Sequence, residues 1–218
     1  MFTPRLSVLP APQQRLWDEL AETPSEFVLY GGTALALRLG HRTSEDFDFF
    51  SSRPFSPDVL QRAISYLGGG EISQAGANTL TVIVDRNGPV KVSFFGGLRL
   101  KQVQDPDVVA EKGIRVASLL DVAATKMVTI QQRAQARDYL DVLALADAGV
   151  PLDAALAAAA AVYGPEFNGL LSLKALTYFA EGDLGTLSSA RQNQLRGMAN
   201  AVDLTQIPVM EARGSIGG

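Results

Sequence analysis

Cysteine is absent from the 218 residues, which excludes disulfides, thiolate nucleophiles and cysteine-ligated zinc or iron–sulfur centres. Histidine occurs once, at His41, so a multi-histidine metal site is excluded as well. Long apolar runs are also missing. The alanine-rich stretch 154–162 is too short and too weakly hydrophobic per residue to cross a bilayer, and no membrane span is expected. The opening Met1-Phe2-Thr3-Pro4-Arg5-Leu6 lacks the basic segment and apolar run of a secretion signal, so the expected location is cytoplasmic. Positive charge is not in excess either: 19 Lys and Arg face 23 Asp and Glu, for a net charge of −4. That is the wrong sign for gripping nucleic acid by bulk electrostatics, so a nucleic-acid partner would need a local basic patch.

What is present supports a packed core. A 47% hydrophobic share and a mean hydropathy of +0.11 suffice for one large domain or two small ones. Residues 12–21 read as a helix with Leu16, Trp17 and Leu20 at helical spacing. Residues 27–30 read as a strand that ends in Gly31-Gly32, after which Thr33 is placed to cap a helix running to Gly40. Residues 46–50 alternate like a strand, and 57–67 read as a helix with Ser56 at its start. Asn87-Gly88 marks a hairpin between strands 79–84 and 90–95. Beyond Asp105-Pro106 the pattern turns helical, with Ser118 and Asp121 forming a capping-box variant. Helices are expected over 118–132, 137–148, 152–162, 170–179 and 188–199, and the glycine-rich end 214–218 reads as disordered. The chain thus divides into an α/β domain at 1–108 and a helical domain at 109–218.

Two features carry chemistry. Asp46 and Asp48 share one strand face about 6.5–7 Å apart, and hard cations such as Mg²⁺ take carboxylate oxygens at about 2.1 Å. Like charges so placed call for a cation or a basic neighbour, although an exposed edge strand with two aspartates would show the same pattern. Upstream, a strand that ends in Gly31-Gly32 and opens a helix turns backbone N–H groups outward at the helix start, where phosphate oxygens are favoured. Thr33 adds a hydroxyl. Alone, the double glycine is equally a tight turn.

Together the two features form a longer pattern. Gly-Gly-Thr-Ala-Leu-Ala-Leu, then Arg-Thr-Ser-Glu-Asp-Phe-Asp-Phe-Phe, resembles the first motif of the polymerase-β-like nucleotidyltransferases, and specifically of the AbiEii/AbiGii toxin family. Downstream, the run from Ser118 to Lys126, with Arg133 and Arg137-Asp138-Tyr139-Leu140-Asp141, is similar to that family's motif lysine and its later Arg/Lys-Asp helix. The resemblance covers about residues 27–147. It implies an α+β fold, with a polymerase-β-like nucleotidyltransferase core of small mixed sheet and flanking helices followed by an α-helical C-terminal region.

It also implies a reaction: transfer of a nucleotidyl group from an NTP to an acceptor hydroxyl, with Mg²⁺ or Mn²⁺ on Asp46 and Asp48. Gly31, Gly32 and Thr33 would contact phosphates, with Arg42 and Ser44 either beside them or simply solvated. Lys126 would neutralise the triphosphate, and Asp138 would orient Lys126 or the acceptor, or merely cap its helix. By the same resemblance the acceptor is tRNA and a cognate antitoxin protein is a partner. One departure stands out: where such enzymes carry a third carboxylate on the neighbouring strand, this chain has Ser93. Ser93 keeps open a catalytically degenerate nucleotide-binding homologue, and the acidic net charge keeps open a small-molecule acceptor. Lys91, on the face of Ser93, would pair with the acids or with phosphate, or remain solvated. Arg133 and Arg137, four apart, form a basic patch for nucleic acid or ordinary surface charge. Asp141 faces the same cleft or pairs with Arg137, and His41 is an incidental loop residue.

Overall fold

A computed structural model of the chain describes residues 2–110 and 112–218. It forms two compact units: Met1–Leu100 with Asp105–Ser118 and Gly214–Gly218, and Lys101–Gln104 with Leu119–Arg213.

In the first unit, α1 (Ala11–Trp17) starts beside proline and buries Leu16 and Trp17. It stops short of the expected helix end, and a 3-10 turn at Glu19–Glu22 takes over. β1 (Val28–Tyr30) leads directly into α2 (Gly31–Leu39), which ends on Gly40 in the left-handed region at φ +71°. There a residue without Cβ meets no steric penalty. β2 (Phe47–Phe50) and α3 (Pro57–Ala63) follow. β3 (Glu71–Gly76), β4 (Thr79–Asp85) and β5 (Pro89–Phe95) then form two successive hairpins.

Among the described residues these strands make a seven-stranded mixed sheet of order β3-β4-β5-β2-β1, continued by the short strands Arg115–Val116 and Asp107–Val108. β1 runs antiparallel to β2, whereas β2 runs parallel to β5. Asn87, at φ +57°, sits in the β4–β5 turn that the sequence signals. β3 carries no alternation and is exposed along its whole length, so only its pairing with β4 reveals it as a strand.

The two sheet faces differ sharply. Phe47, Phe49, Val92 and Phe94 are fully buried on one face. Phe49 stacks on Phe94 at 5.3 Å between centroids, Trp17 lies 6.4 Å from Phe47, and Phe27 meets Phe94 edge-on at 5.1 Å. Each such buried side chain contributes about 1.5–3 kcal/mol. The opposite face of β2 and β5 bears Asp48, Phe50, Lys91, Ser93 and Phe95.

The end of the chain is ordered, contrary to the disorder expected from its glycines. Ile216 is fully buried, donates its N–H to Leu100 and accepts from Ser52 N–H. Gly217 at φ +71° lies against the Glu26 carbonyl, with no room for a side chain. Burial of Ile216, with these backbone contacts, supplies the anchor that composition alone hides.

The second unit is helical. α4 (Leu119–Gln132) packs against α5 (Ala136–Asp147), α6 (Leu152–Tyr163) and α7 (Gly169–Ala175), and α8 (Ser189–Ala201) packs on α7. α6 buries Ala155, Ala157, Ala158 and Ala159, small side chains that let α4 approach closely. Buried Ser172 donates to the Met127 carbonyl at 2.9 Å and accepts from Gln131 at 2.7 Å, tying α7 to α4. Asp121 accepts the N–H groups of Val103 and Gln104 at 2.8 and 3.1 Å, so its carboxylate holds a neighbouring segment in place. Among the described residues no single helix is long and apolar enough to cross a membrane.

Candidate active site

The glycines open the first-unit site. Tyr30 takes the N-cap position of α2, so the helix begins at Gly31 rather than after Thr33. Gly31 adopts φ +72°, and a Cβ there would lie 3.1 Å from Asp48 Oδ2. A Cβ on Gly32 would lie 2.2 Å from Arg42 Nη2 and 3.5 Å from Ser44 Oγ. The missing side chains therefore let a guanidinium, a hydroxyl and a carboxylate lie against the start of one helix. Register adds to this, since β1 and β2 place Tyr30 opposite Asp48.

Thr33 turns inward. Its side chain is buried, and its hydroxyl lies 2.7 Å from Ser44 Oγ and donates to the main-chain carbonyl of Asp46. It braces the segment ahead of β2 instead of capping α2, which corrects the sequence expectation for its helix position. Gln13 on α1 holds the same segment from another side, with Nε2 donating to the Glu45 carbonyl at 3.1 Å, and Ser44 N–H donates to Val8 at 3.1 Å. Sequence reasoning missed Gln13. It sits beside Leu16 and Trp17 on a buried helix face, and no motif marks it.

Asp46 immediately precedes β2 and lies 3.3 Å from Lys91 Nζ, with side-chain exposures of 36% and 47%. An ion pair this exposed contributes at most about 1 kcal/mol, so Lys91 is free energetically to exchange partners. Asp48 is half-buried and lies in register with Ser93, which in turn lies opposite Thr81. Ser93 is buried, and its Oγ lacks a hydrogen-bond partner among the described residues. Among those residues no group of three His, Cys, Asp or Glu side chains converges. Two carboxylates nonetheless suit Mg²⁺ or Mn²⁺, since Mg²⁺ binds through one or two protein carboxylates and fills its remaining positions with water and substrate phosphates. The donor set is hard oxygen throughout, which fits such an ion.

Lys126 and Asp138 belong to the second unit. Lys126 Nζ lies 2.7 Å from Asp138 Oδ1 and 2.6 Å from Asp141 Oδ2, and all three side chains are buried. Arg133, 45% exposed, donates through Nε to Asp138 Oδ2 at 2.8 Å. Two cations and two carboxylates leave this group electrically balanced, as burial of charge requires. Burial would raise the Asp138 carboxyl, but the Arg133 hydrogen bond and the charge and hydrogen bond of Lys126 outweigh it and hold the group below the ordinary value. Asp141 pairs with Lys126 and not with Arg137, whose Nε donates to Gln135 at 3.0 Å on the surface. The structure thus gathers Gly31, Gly32, Arg42, Ser44, Asp46, Asp48, Lys91 and Ser93 in one unit, and Lys126, Arg133, Asp138 and Asp141 in the other.

Residues 15–208 match the family described as nucleotidyl transferase AbiEii toxin, type IV TA system. The chain belongs to the AbiEii toxin family. Both groups of residues lie within the matched span. Among solved structures, the chain is similar to a candidate nucleotidyltransferase from H. pylori, with a TM-score of 0.55 and 21% identity over 87% of this chain and 90% of that one. It is also similar to MenT4, a nucleotidyltransferase toxin from Mycobacterium tuberculosis H37Rv, with a TM-score of 0.54 and 18% identity over 88% and 83%. At these identities the likeness establishes the fold: the α+β nucleotidyltransferase core with its helical continuation. An uncharacterized protein of Aquifex aeolicus (strain VF5) is 36% identical over 119 residues. That match spans 54% of this AbiEii-family chain and 56% of the relative, a little over half of each.

Proposed function

We propose that the chain transfers a nucleotidyl group from an NTP to an acceptor hydroxyl of tRNA, in the cytoplasm, as the toxin of a pair whose antitoxin protein is its partner. The supporting observation is the bare start of α2, where Arg42 and Ser44 flank Gly32 and Asp48 flanks Gly31. Backbone N–H groups at Gly31 and Gly32, helped by Arg42, Ser44 and the Thr33 brace, receive the β and γ phosphates. Asp46 and Asp48 hold Mg²⁺ or Mn²⁺. When bound, the ion acts as a Lewis acid on the phosphoryl oxygens and offsets their charge. Lys91 releases Asp46 and turns to phosphate as the nucleotide enters, and Ser93 stands beside Asp48 in the position of the third carboxylate. A bond forms between the acceptor oxygen and the α-phosphorus, the bond to the bridging oxygen breaks, and the acceptor proton is released.

Incubation with each labelled NTP, total RNA and Mg²⁺ or Mn²⁺ tests this. Label should enter small RNA, and Asp46→Asn or Asp48→Asn should lower transfer by about 100-fold or more, as loss of a principal electrostatic contributor does. Label on a small molecule but not on RNA would select the small-acceptor alternative. A second possibility, a nucleotide-binding homologue without turnover, draws support from Ser93 and from the two-carboxylate donor set. Absence of transfer with every NTP and either ion, together with activity gained in Ser93→Asp, would favour it.

A further inference from the structure

The strand face that bears the acid pair continues beyond it. Phe50 follows Asp48 on the same side of β2, half-buried, with its ring stacked on Tyr30 at 5.0 Å and 11° between planes. It meets Phe95 edge to face at 5.6 Å and 86°. Parallel pairing of β2 with β5 sets Phe50 beside Phe95 just as it sets Asp48 beside Ser93. Along these two strands one face therefore reads Asp46 with Lys91, then Asp48 with Ser93, then Phe50 with Phe95.

Buried Tyr30, Thr81 and Ser93 floor this face, and Phe50 and Phe95 stay partly open on it. Here two partly exposed aromatic rings lie beyond a polar stretch, while the opposite face already holds Phe47, Phe49 and Phe94 in the core. Ser93 Oγ stands between acids and rings, 1% exposed and without a hydrogen-bond partner among the described residues. Buried polar groups are rarely left so, and this one, closed to solvent, meets a ligand once the side chains over it shift. Phe50 lies about 6.5–7 Å beyond Asp48 along the strand, a step that the ribose of a nucleotide bridges. The phosphate-binding glycines lie toward the other end, because Gly32 borders Arg42 and Ser44, which precede Asp46 in the chain.

We propose that Phe50 and Phe95 form the seat of the nucleobase, with the Ser93 hydroxyl bonding to the ribose. The proposal rests on the nucleotidyltransferase function above and adds which residues hold the nucleoside end of the substrate. The NTP lies along β2: polyphosphate at Gly32, Arg42 and Ser44, α-phosphate at the acids, base against the rings. Aromatic side chains suit this role because every base presents a π-face.

The test compares equilibrium binding of a non-hydrolysable NTP analogue and of inorganic tripolyphosphate, both with Mn²⁺, to the full chain and its variants. Phe50→Leu and Phe95→Leu keep apolar volume but remove the ring, and Phe50→Tyr and Phe95→Tyr keep it. Analogue binding should weaken by about five- to hundredfold in the leucine variants and return in the tyrosine variants, with tripolyphosphate binding unchanged throughout. Equal loss of both ligands, or no loss of either, overturns the seat while leaving the nucleotidyltransferase function standing. So does a leucine variant that binds RNA more weakly but the analogue normally, which would assign the rings to the acceptor. Wild-type protein that binds neither ligand overturns the function itself. Ser93→Ala should weaken the ribonucleotide analogue severalfold and leave tripolyphosphate untouched; unchanged analogue binding removes Ser93 from the seat.

Discussion

Lys126 Nζ lies 2.6 Å from Asp141 Oδ2, with both side chains sealed from solvent, although the two residues stand on different helices. Asp138 on the same helix as Asp141 shares the ammonium at 2.7 Å. Removing one partner from such a group leaves an uncompensated buried charge, which costs about 3–5 kcal/mol. Asp141→Asn should therefore lower the unfolding free energy by several kcal/mol in urea titrations. Unchanged stability would show that Asp141 does not carry its charge in the folded chain.

Asp138 gives the chain an acid-sensitive component. Against the opposing effect of burial, its carboxyl is held below the ordinary carboxylate range in the folded state by Arg133 and Lys126. A group with a depressed native value stabilises the fold in full above its unfolded value, about pH 4, and loses that contribution as pH falls through the depressed value. Stability of the wild type should drop along this acid limb, and Asp138→Asn should flatten it. Urea midpoints measured between about pH 2 and 6 check the slope.

Gln13 should matter beyond its size. Its amide holds the Glu45 carbonyl, next to Asp46, and Thr33 holds the Asp46 carbonyl itself. Outer groups that orient metal-binding side chains typically alter affinity by about 10–100-fold. Gln13→Leu should weaken Mn²⁺ binding, followed by electron paramagnetic resonance, by about tenfold, with circular dichroism unaltered. Intact Mn²⁺ affinity would confine Gln13 to packing.

The two glycines predict different failures. Gly32→Ala pushes its Cβ to 2.2 Å from the end of the flexible Arg42 side chain, which can move away. Stability should hold while KM for the NTP rises. Gly31→Ala forces alanine to φ +72° and crowds Asp48, so a loss of about 1–2 kcal/mol is expected in addition. Thermal melts beside KM measurements separate the two.

Much of this was legible because the informative residues are near one another in sequence. Gly31-Gly32 followed by Asp46 and Asp48 declares a strand, a turn, a helix and a second strand, and Asn87-Gly88 declares a hairpin. Partner choice was less legible. Nothing local shows that the Thr33 hydroxyl folds inward to Asp46, that Gln13 reaches Glu45 from α1, or that Asp141 prefers Lys126 to Arg137. Those choices depend on which helix packs where. β3 was invisible because both of its faces stay wet, and the order of residues 214–218 hung on the burial of Ile216 alone.

The cradle from Gly31 to Asp48 comes from one unbroken run of chain. Drawing together the ends of so short a loop has a small entropic cost, and low sequence separation favours rapid formation. The segment thus behaves as a cassette: new termini opened in the Asn87-Gly88 turn should leave it whole, whereas a cut between Arg42 and Ser44 should dismantle it even if every other strand still pairs.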